Sequence, residues 1–175
     1  STASGVSITG FGGNTYGNYN QGVRVKAAGS VDSASKVTIV GTNNVATNMP
    51  TLMGTQIQGT VQAVGDINLE GYSTSLSSPN SGLVIQNTVT STGGNITAKA
   101  SAANSTKVAL SISGAGALIA SGSNKNINMV ADTMDLSTAT AINAGTGTVN
   151  ITTKDASKAI KIGVEDGSPT VSSQL

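Results

Sequence analysis

Asp66 and Glu70 flank the Ile67/Leu69 pair at even spacing, so an extended strand would carry both carboxylates on one face. Two convergent carboxylates are what a polysaccharide-cleaving site needs for acid and base work. Such a site should also hold aromatic platforms for sugar rings, and aromatic residues make up only 2% of the chain. The pair therefore reads as solvated surface charge. Asp132/Asp135, near Met134/Leu136, and Glu165-Asp166, near a turn, are further acidic pairs. Weak Ca²⁺ binding is conceivable there, but neither fits an EF-hand loop or the nonapeptide calcium repeat. Ser33-Ala-Ser-Lys36 has the S-x-x-K spacing, but it precedes a strand rather than lying on the helix that chemistry requires. Gly114-Ala-Gly-Ala-Leu118 starts like a dinucleotide fingerprint but lacks the third glycine, the helix and the acidic residue beyond, and reads as a tight corner of the chain.

Histidine and cysteine are both absent. Imidazole or thiolate metal sites, Ser-His-Asp triads and thiol nucleophiles are thereby excluded. The expectation is no catalytic residue, no metal site and no cofactor. The candidate contact residues are Tyr16, Tyr19 and Tyr72, tyrosines beside glycine- and asparagine-rich stretches that would suit a glycan or a neighbouring chain. Packing of loops onto the body is the competing reading. Asn95-Ile-Thr97, Asn104-Ser-Thr106 and Asn150-Ile-Thr152 are glycosylation sequons, set against the coincidence expected in a chain so rich in Asn, Ser and Thr.

The elements that would position these residues follow from the apolar pattern. Apolar content is 37%, carried by Val, Ile, Leu, Ala and a little Met, with 22 Gly, 3 Pro and only 10% charged residues. Pairs spaced i, i+2 recur: Val6/Ile8, Val37/Ile39, Ile67/Leu69, Ile96/Ala98, Ile127/Met129 and Val149/Ile151. Their spacing is roughly 30 residues and shortens at the end. A second series interleaves: Val23/Val25, then Ile57 or Val61, Leu83/Ile85, Val108/Leu110/Ile112, Met134/Leu136 and Ile160/Ile162. Each period thus carries at least two strands. Glycine- and asparagine-rich pieces between them, such as Gly41-Thr42-Asn43-Asn44 and Gly93-Gly94-Asn95, supply turn chemistry.

A short strand cannot bury its apolar face alone, and repetition supplies the strand that covers it. The fold expected is all-β, a right-handed parallel β-helix or β-solenoid of roughly five or six coils, about 30 Å long at the usual strand separation. A narrow lumen has no room for rings, which accounts for the missing aromatics. Residues 1–175 read as one solenoid segment with loop excursions near 47–58 and 71–81. No cap is visible at either end, so the expectation is a fragment of a larger protein, with the solenoid continued by further residues or by a second copy stacked end to end.

Gly5-Val-Ser-Ile-Thr-Gly-Phe-Gly-Gly13, Gly17-Asn-Tyr-Asn-Gln-Gly-Val-Arg-Val25, Gly94-Asn-Ile-Thr-Ala98 and Gly147-Thr-Val-Asn-Ile-Thr152 resemble the degenerate repeats of filamentous-haemagglutinin-like exoproteins. These are large bacterial adhesins exported by two-partner secretion. The tail Ala159-Ile-Lys-Ile-Gly-Val-Glu-Asp-Gly167 is similar to a segment found late in such proteins. The resemblance covers nearly the whole chain. It implies a right-handed β-helix, export through a dedicated outer-membrane pore, and work at the cell surface or in the biofilm matrix.

A net charge of +1 without a basic cluster gives no electrostatic footprint for nucleic acid or an anionic membrane. The function expected is a structural or adhesive extracellular rod, not an enzyme. The alternatives are a glycan-binding adhesin acting through its loop excursions, or a polysaccharide-degrading β-helix acting through Asp66 and Glu70.

Overall fold

The computed structural model describes residues 4–13, 20–44, 52–74, 80–103 and 107–158. Among them are sixteen β-strands and no helix. Three parallel sheets take every third strand in turn. Sheet A holds β1 (Val6–Gly12), β4 (Val37–Asn43), β7 (Ile67–Ser73), β10 (Ile96–Ala102), β13 (Ile127–Val130) and β16 (Val149–Thr152). Sheet B holds β2 (Val23–Val25), β5 (Leu52–Ile57), β8 (Asn80–Ile85), β11 (Leu110–Ile112) and β14 (Met134–Asp135). Sheet C holds β3 (Ser30–Ser33), β6 (Thr60–Ala63), β9 (Thr88–Ser91), β12 (Ala117–Ala120) and β15 (Ala141–Asn143). The chain is a parallel β-solenoid in which β1 to β15 make five three-strand coils and β16 opens a sixth.

Stacking in register turns the apolar pairs into continuous columns. In sheet A, Val6, Val37, Ile67, Ile96, Ile127 and Val149 are successive partners, as are Ile8, Ile39, Leu69, Ala98, Met129 and Ile151. Sheet B adds Val25, Ile57, Ile85 and Ile112. Sheet C adds Val31, Val61, Val89, Leu118 and Ile142. From β4 to β13 these positions are buried and aliphatic, whereas Val6, Ile8, Val149 and Ile151 are only partly covered. Fully burying one such side chain is worth about 1.5–3 kcal/mol, so stability comes mainly from contact between coils.

The period carries three strands where the sequence indicated at least two. Of the alternatives Ile57 and Val61, both are core, Ile57 in sheet B and Val61 in sheet C. The glycine stretch beginning at Gly41 also differs from expectation: Gly41, Thr42 and Asn43 finish β4 and do not form a turn. Sheets A and B converge on backbone there. A Cβ on Gly10, Gly41 or Gly71 would stand 2.0, 2.1 and 2.0 Å from the carbonyl oxygens of Gly22, Gly54 and Gly82. Glycine is required because a neighbouring strand occupies the place of its side chain.

The loop excursions expected at 47–58 and 71–81 are narrower in the structure. Residues 52–57 are β5, 71–73 end β7, and 80–81 begin β8. Residues 47–51 and 75–79 lie outside the described residues, as do Ile160 and Ile162. The corner at Gly114 is as expected, with φ +64° at Gly114 and the Gly116 amide donating to the Ser113 carbonyl at 3.0 Å.

Candidate functional site on the outer face of sheet A

Alternation that sends Ile67, Leu69 and Gly71 inward turns Asn68, Glu70 and Tyr72 outward on β7. Register then builds three outer columns: Ser7, Thr38, Asn68, Thr97, Asn128 and Asn150; Thr9, Val40, Glu70, Lys99, Val130 and Thr152; and Phe11, Thr42, Tyr72 and Ser101. Parallel, in-register strands place members of a column about 4.8 Å apart.

Glu70 is the centre of this face. Its Oε1 accepts a hydrogen bond from Asn68 Nδ2 at 3.0 Å, and its Oε2 accepts one from the Tyr72 hydroxyl. Burial raises the carboxyl pKa, but the bonds from Tyr72 and Asn68 and the charge of Lys99 outweigh it and leave it below the ordinary value. Burial and the bond to the Glu70 carboxylate push the Tyr72 hydroxyl up to about 12. Nearby, Asn150 Nδ2 donates to Asn128 Oδ1 at 2.8 Å and Lys154 Nζ to Ser101 Oγ at 3.0 Å.

Asp66 does something else. It precedes β7 at the corner from sheet C, and its Oδ1 accepts the backbone N–H of Asn95 at 2.7 Å and Asn95 Nδ2 at 3.3 Å. Asn95 Oδ1 accepts the N–H of Asn126 at 2.9 Å, and Asn126 Oδ1 accepts that of Thr148 at 3.0 Å. The backbone carbonyls of Asp66, Asn95, Asn126 and Thr148 meanwhile accept from Val37, Ile67, Ile96 and Ile127 in the preceding coils. This ladder was missed in the sequence, although an Asp or Asn directly before the first isoleucine of β7, β10 and β13 is a signal for it.

The structure therefore does not bring Asp66 and Glu70 together. Asp66 precedes β7 and is bonded to Asn95 of the next coil, whereas Glu70 is bonded to Asn68 and Tyr72 of its own strand, so the two carboxylates serve different partners. Asp132 Oδ1 accepts the Asp155 N–H at 2.7 Å, and Asp135 Oδ1 accepts the N–H and hydroxyl of Ser137 at 3.1 and 2.6 Å. The Ser157 N–H and hydroxyl hold the Asp155 carboxyl below its ordinary value in a similar turn. Among the described residues no group of three or more acidic side chains is placed to hold a metal ion.

Of the tyrosines, Tyr72 is a half-buried strand residue, and Tyr16 and Tyr19 lie outside the described residues. Of the sequons, Asn95 and Asn150 have their amide nitrogens in the hydrogen bonds above, and Asn104 lies outside the described residues. Glu165 and Asp166 do too. A hollow of about 270 Å³ beside Asp32, Gln62, Val64 and Thr92 is open and below the ~300–1,000 Å³ of pockets that enclose a small molecule.

Fold and face together define a parallel β-solenoid with a polar, hydrogen-bonded outer plane. Comparison with protein-family models, with curated proteins and with solved structures finds no match, so the class rests on the coil geometry itself.

Proposed function

We propose that this chain is a structural and adhesive rod segment of a secreted bacterial surface exoprotein of the filamentous-haemagglutinin-like, two-partner-secretion kind. It works at the cell surface or in the extracellular matrix and is not an enzyme. The observation that carries this reading is the unbroken register of sheet A from β1 to β16 over an aliphatic lumen. Such stacking makes a mechanical element whose length grows with coil number. Absence of cysteine suits passage through an oxidising periplasm. Asp66, Asp132 and Asp135 accept hydrogen bonds that hold coils or turns in place, and Glu70 accepts from Asn68 and Tyr72 of its own strand. Its partners are more of the same solenoid, in one chain or in stacked copies, and an outer-membrane pore during export.

The test is surface accessibility. Antibody raised against the purified chain should label intact cells of the producing bacterium, and protease added outside should remove the label. Labelling that appears only after lysis would contradict the proposal. Electron microscopy over a concentration series then separates stacked copies, which form filaments, from a rod continued within one polypeptide.

A further inference from the structure

We propose that the outer face of sheet A binds a neutral, β-linked polysaccharide laid across the strands, with sugar rings stacked on Phe11 and Tyr72. Phe11 is 73% exposed although it sits on a regular strand rather than in a loop. Phe11, Thr42 and Tyr72 are direct register partners on β1, β4 and β7. The two aromatic positions are therefore two strand spacings apart, about 9.6 Å. A β-1,4-linked chain of equatorial sugars is a flat ribbon in which alternate rings present the same face. Its repeat is close to this separation, so one ribbon meets both aromatics at the same face of successive repeats.

The groups around that line suit hydroxyl-rich ligands. Thr42 lies between the aromatics, Glu70 is fixed by Asn68 and Tyr72, and Lys99 and Ser101 stand in the next strand. Fixed donors and acceptors beside an amphipathic ring are what orient a sugar without a deep pocket. Glu70 and Lys99 are register partners of opposite sign, which leaves Lys154 on the Ser101 hydroxyl as the one further charge among the described residues of this face, and the alginate and salt arms of the test below separate a neutral from an anionic polymer. A protein partner would want a continuous apolar centre, whereas Phe11 and Val40 form only a diagonal pair here and Val130 stands beyond Glu70 and Lys99. The proposal goes beyond the rod reading, and either can fail without the other.

Native affinity electrophoresis of the whole chain in gels containing hydroxyethyl cellulose tests it, with dextran and alginate gels alongside. Hydroxyethyl cellulose should retard migration, in low and raised salt alike, and dextran should not. Phe11→Ala and Tyr72→Ala should each weaken retardation by roughly tenfold, and Tyr72→Phe, which keeps the ring, should retain most of it. Phe11 is exposed, so Phe11→Ala decides the case even if Tyr72→Ala unfolds the chain, which far-UV circular dichroism reports. Absence of retardation overturns the proposal. So does retardation unchanged in Phe11→Ala, or retardation by alginate alone that disappears in salt.

Discussion

Glu70 and Tyr72 form a pair whose titration reports on its geometry. The Glu70 carboxyl is held below its ordinary value, so its contribution to stability is present above the unfolded carboxylate pKa and is lost as pH falls through the lower folded one. Tyr72 is raised from 10.0 to about 12, so its contribution is present below pH 10.0 and is lost as pH rises through about 12. Ultraviolet absorbance of tyrosinate should show one tyrosine ionising near 12, and Glu70→Gln should return it toward 10. A titration indifferent to Glu70→Gln would mean that the hydroxyl bonds elsewhere. Asn126 makes a second residue-level test, because its Oδ1 accepts the Thr148 N–H. Asn126→Ala should cost about 1 kcal/mol, a fall of roughly 2–4 °C in thermal midpoint. Asn126→Asp should keep most of that stability, since Asp66 fills the same role in an earlier coil.

At the scale of elements, the demand for glycine differs by position. Gly71→Ala would drive a Cβ to 2.0 Å from the Gly82 carbonyl oxygen, backbone against backbone between sheets A and B. A loss of about 2 kcal/mol or more is expected in urea unfolding. Gly114→Ala meets no atom within 4 Å and faces only its φ of +64°, a penalty of about 1–2 kcal/mol. A loss below about 1 kcal/mol at Gly71 would contradict the close approach of the two backbones. The same contrast shows what the sequence made legible. Most strands of sheets A and B announce themselves because two large aliphatics stand at i and i+2, as in Ile67/Leu69 and Leu83/Ile85, whereas β5 has only Thr55/Ile57 at those positions and stayed ambiguous with Val61. Sheet C did not, because each strand from β3 to β12 pairs one aliphatic with a small residue, Ser33, Ala63, Ser91 or Ala120. Period-2 hydrophobicity fades when one inward position is small. Gly41 reads as a turn by composition, whereas pairing with Gly10 and Gly71 makes it a strand residue and the approach of Gly54 from another sheet requires glycine there. The spacing put Asp66 and Glu70 together on one strand, whereas Asp66 precedes β7 and hydrogen bonds from the next coil, invisible in local spacing, decide what it does.

For the whole molecule, length, stiffness and outer face all derive from the coils stacking in one register. That register survives a change of period: Asn95 reaches Asn126 over 31 residues, and Asn126 reaches Thr148 over only 22. Chain is removed from the coil while the partners Ile127 and Val149 still meet. Because the chain contains no cysteine, an engineered pair reads the register directly. Ser7 and Thr38 are partners on the outer face, so their Cα atoms are about 4.8 Å apart, inside the range a disulfide spans. Ser7 and Val40 share that face one diagonal step away, roughly 8 Å apart and beyond that range. Under mild oxidation, Ser7→Cys/Thr38→Cys should close to a monomeric disulfide with its circular dichroism unchanged, while Ser7→Cys/Val40→Cys should stay open. Equal closure of both pairs, or closure of the diagonal pair alone, would contradict the stacked solenoid on which the proposed rod and the proposed binding face depend.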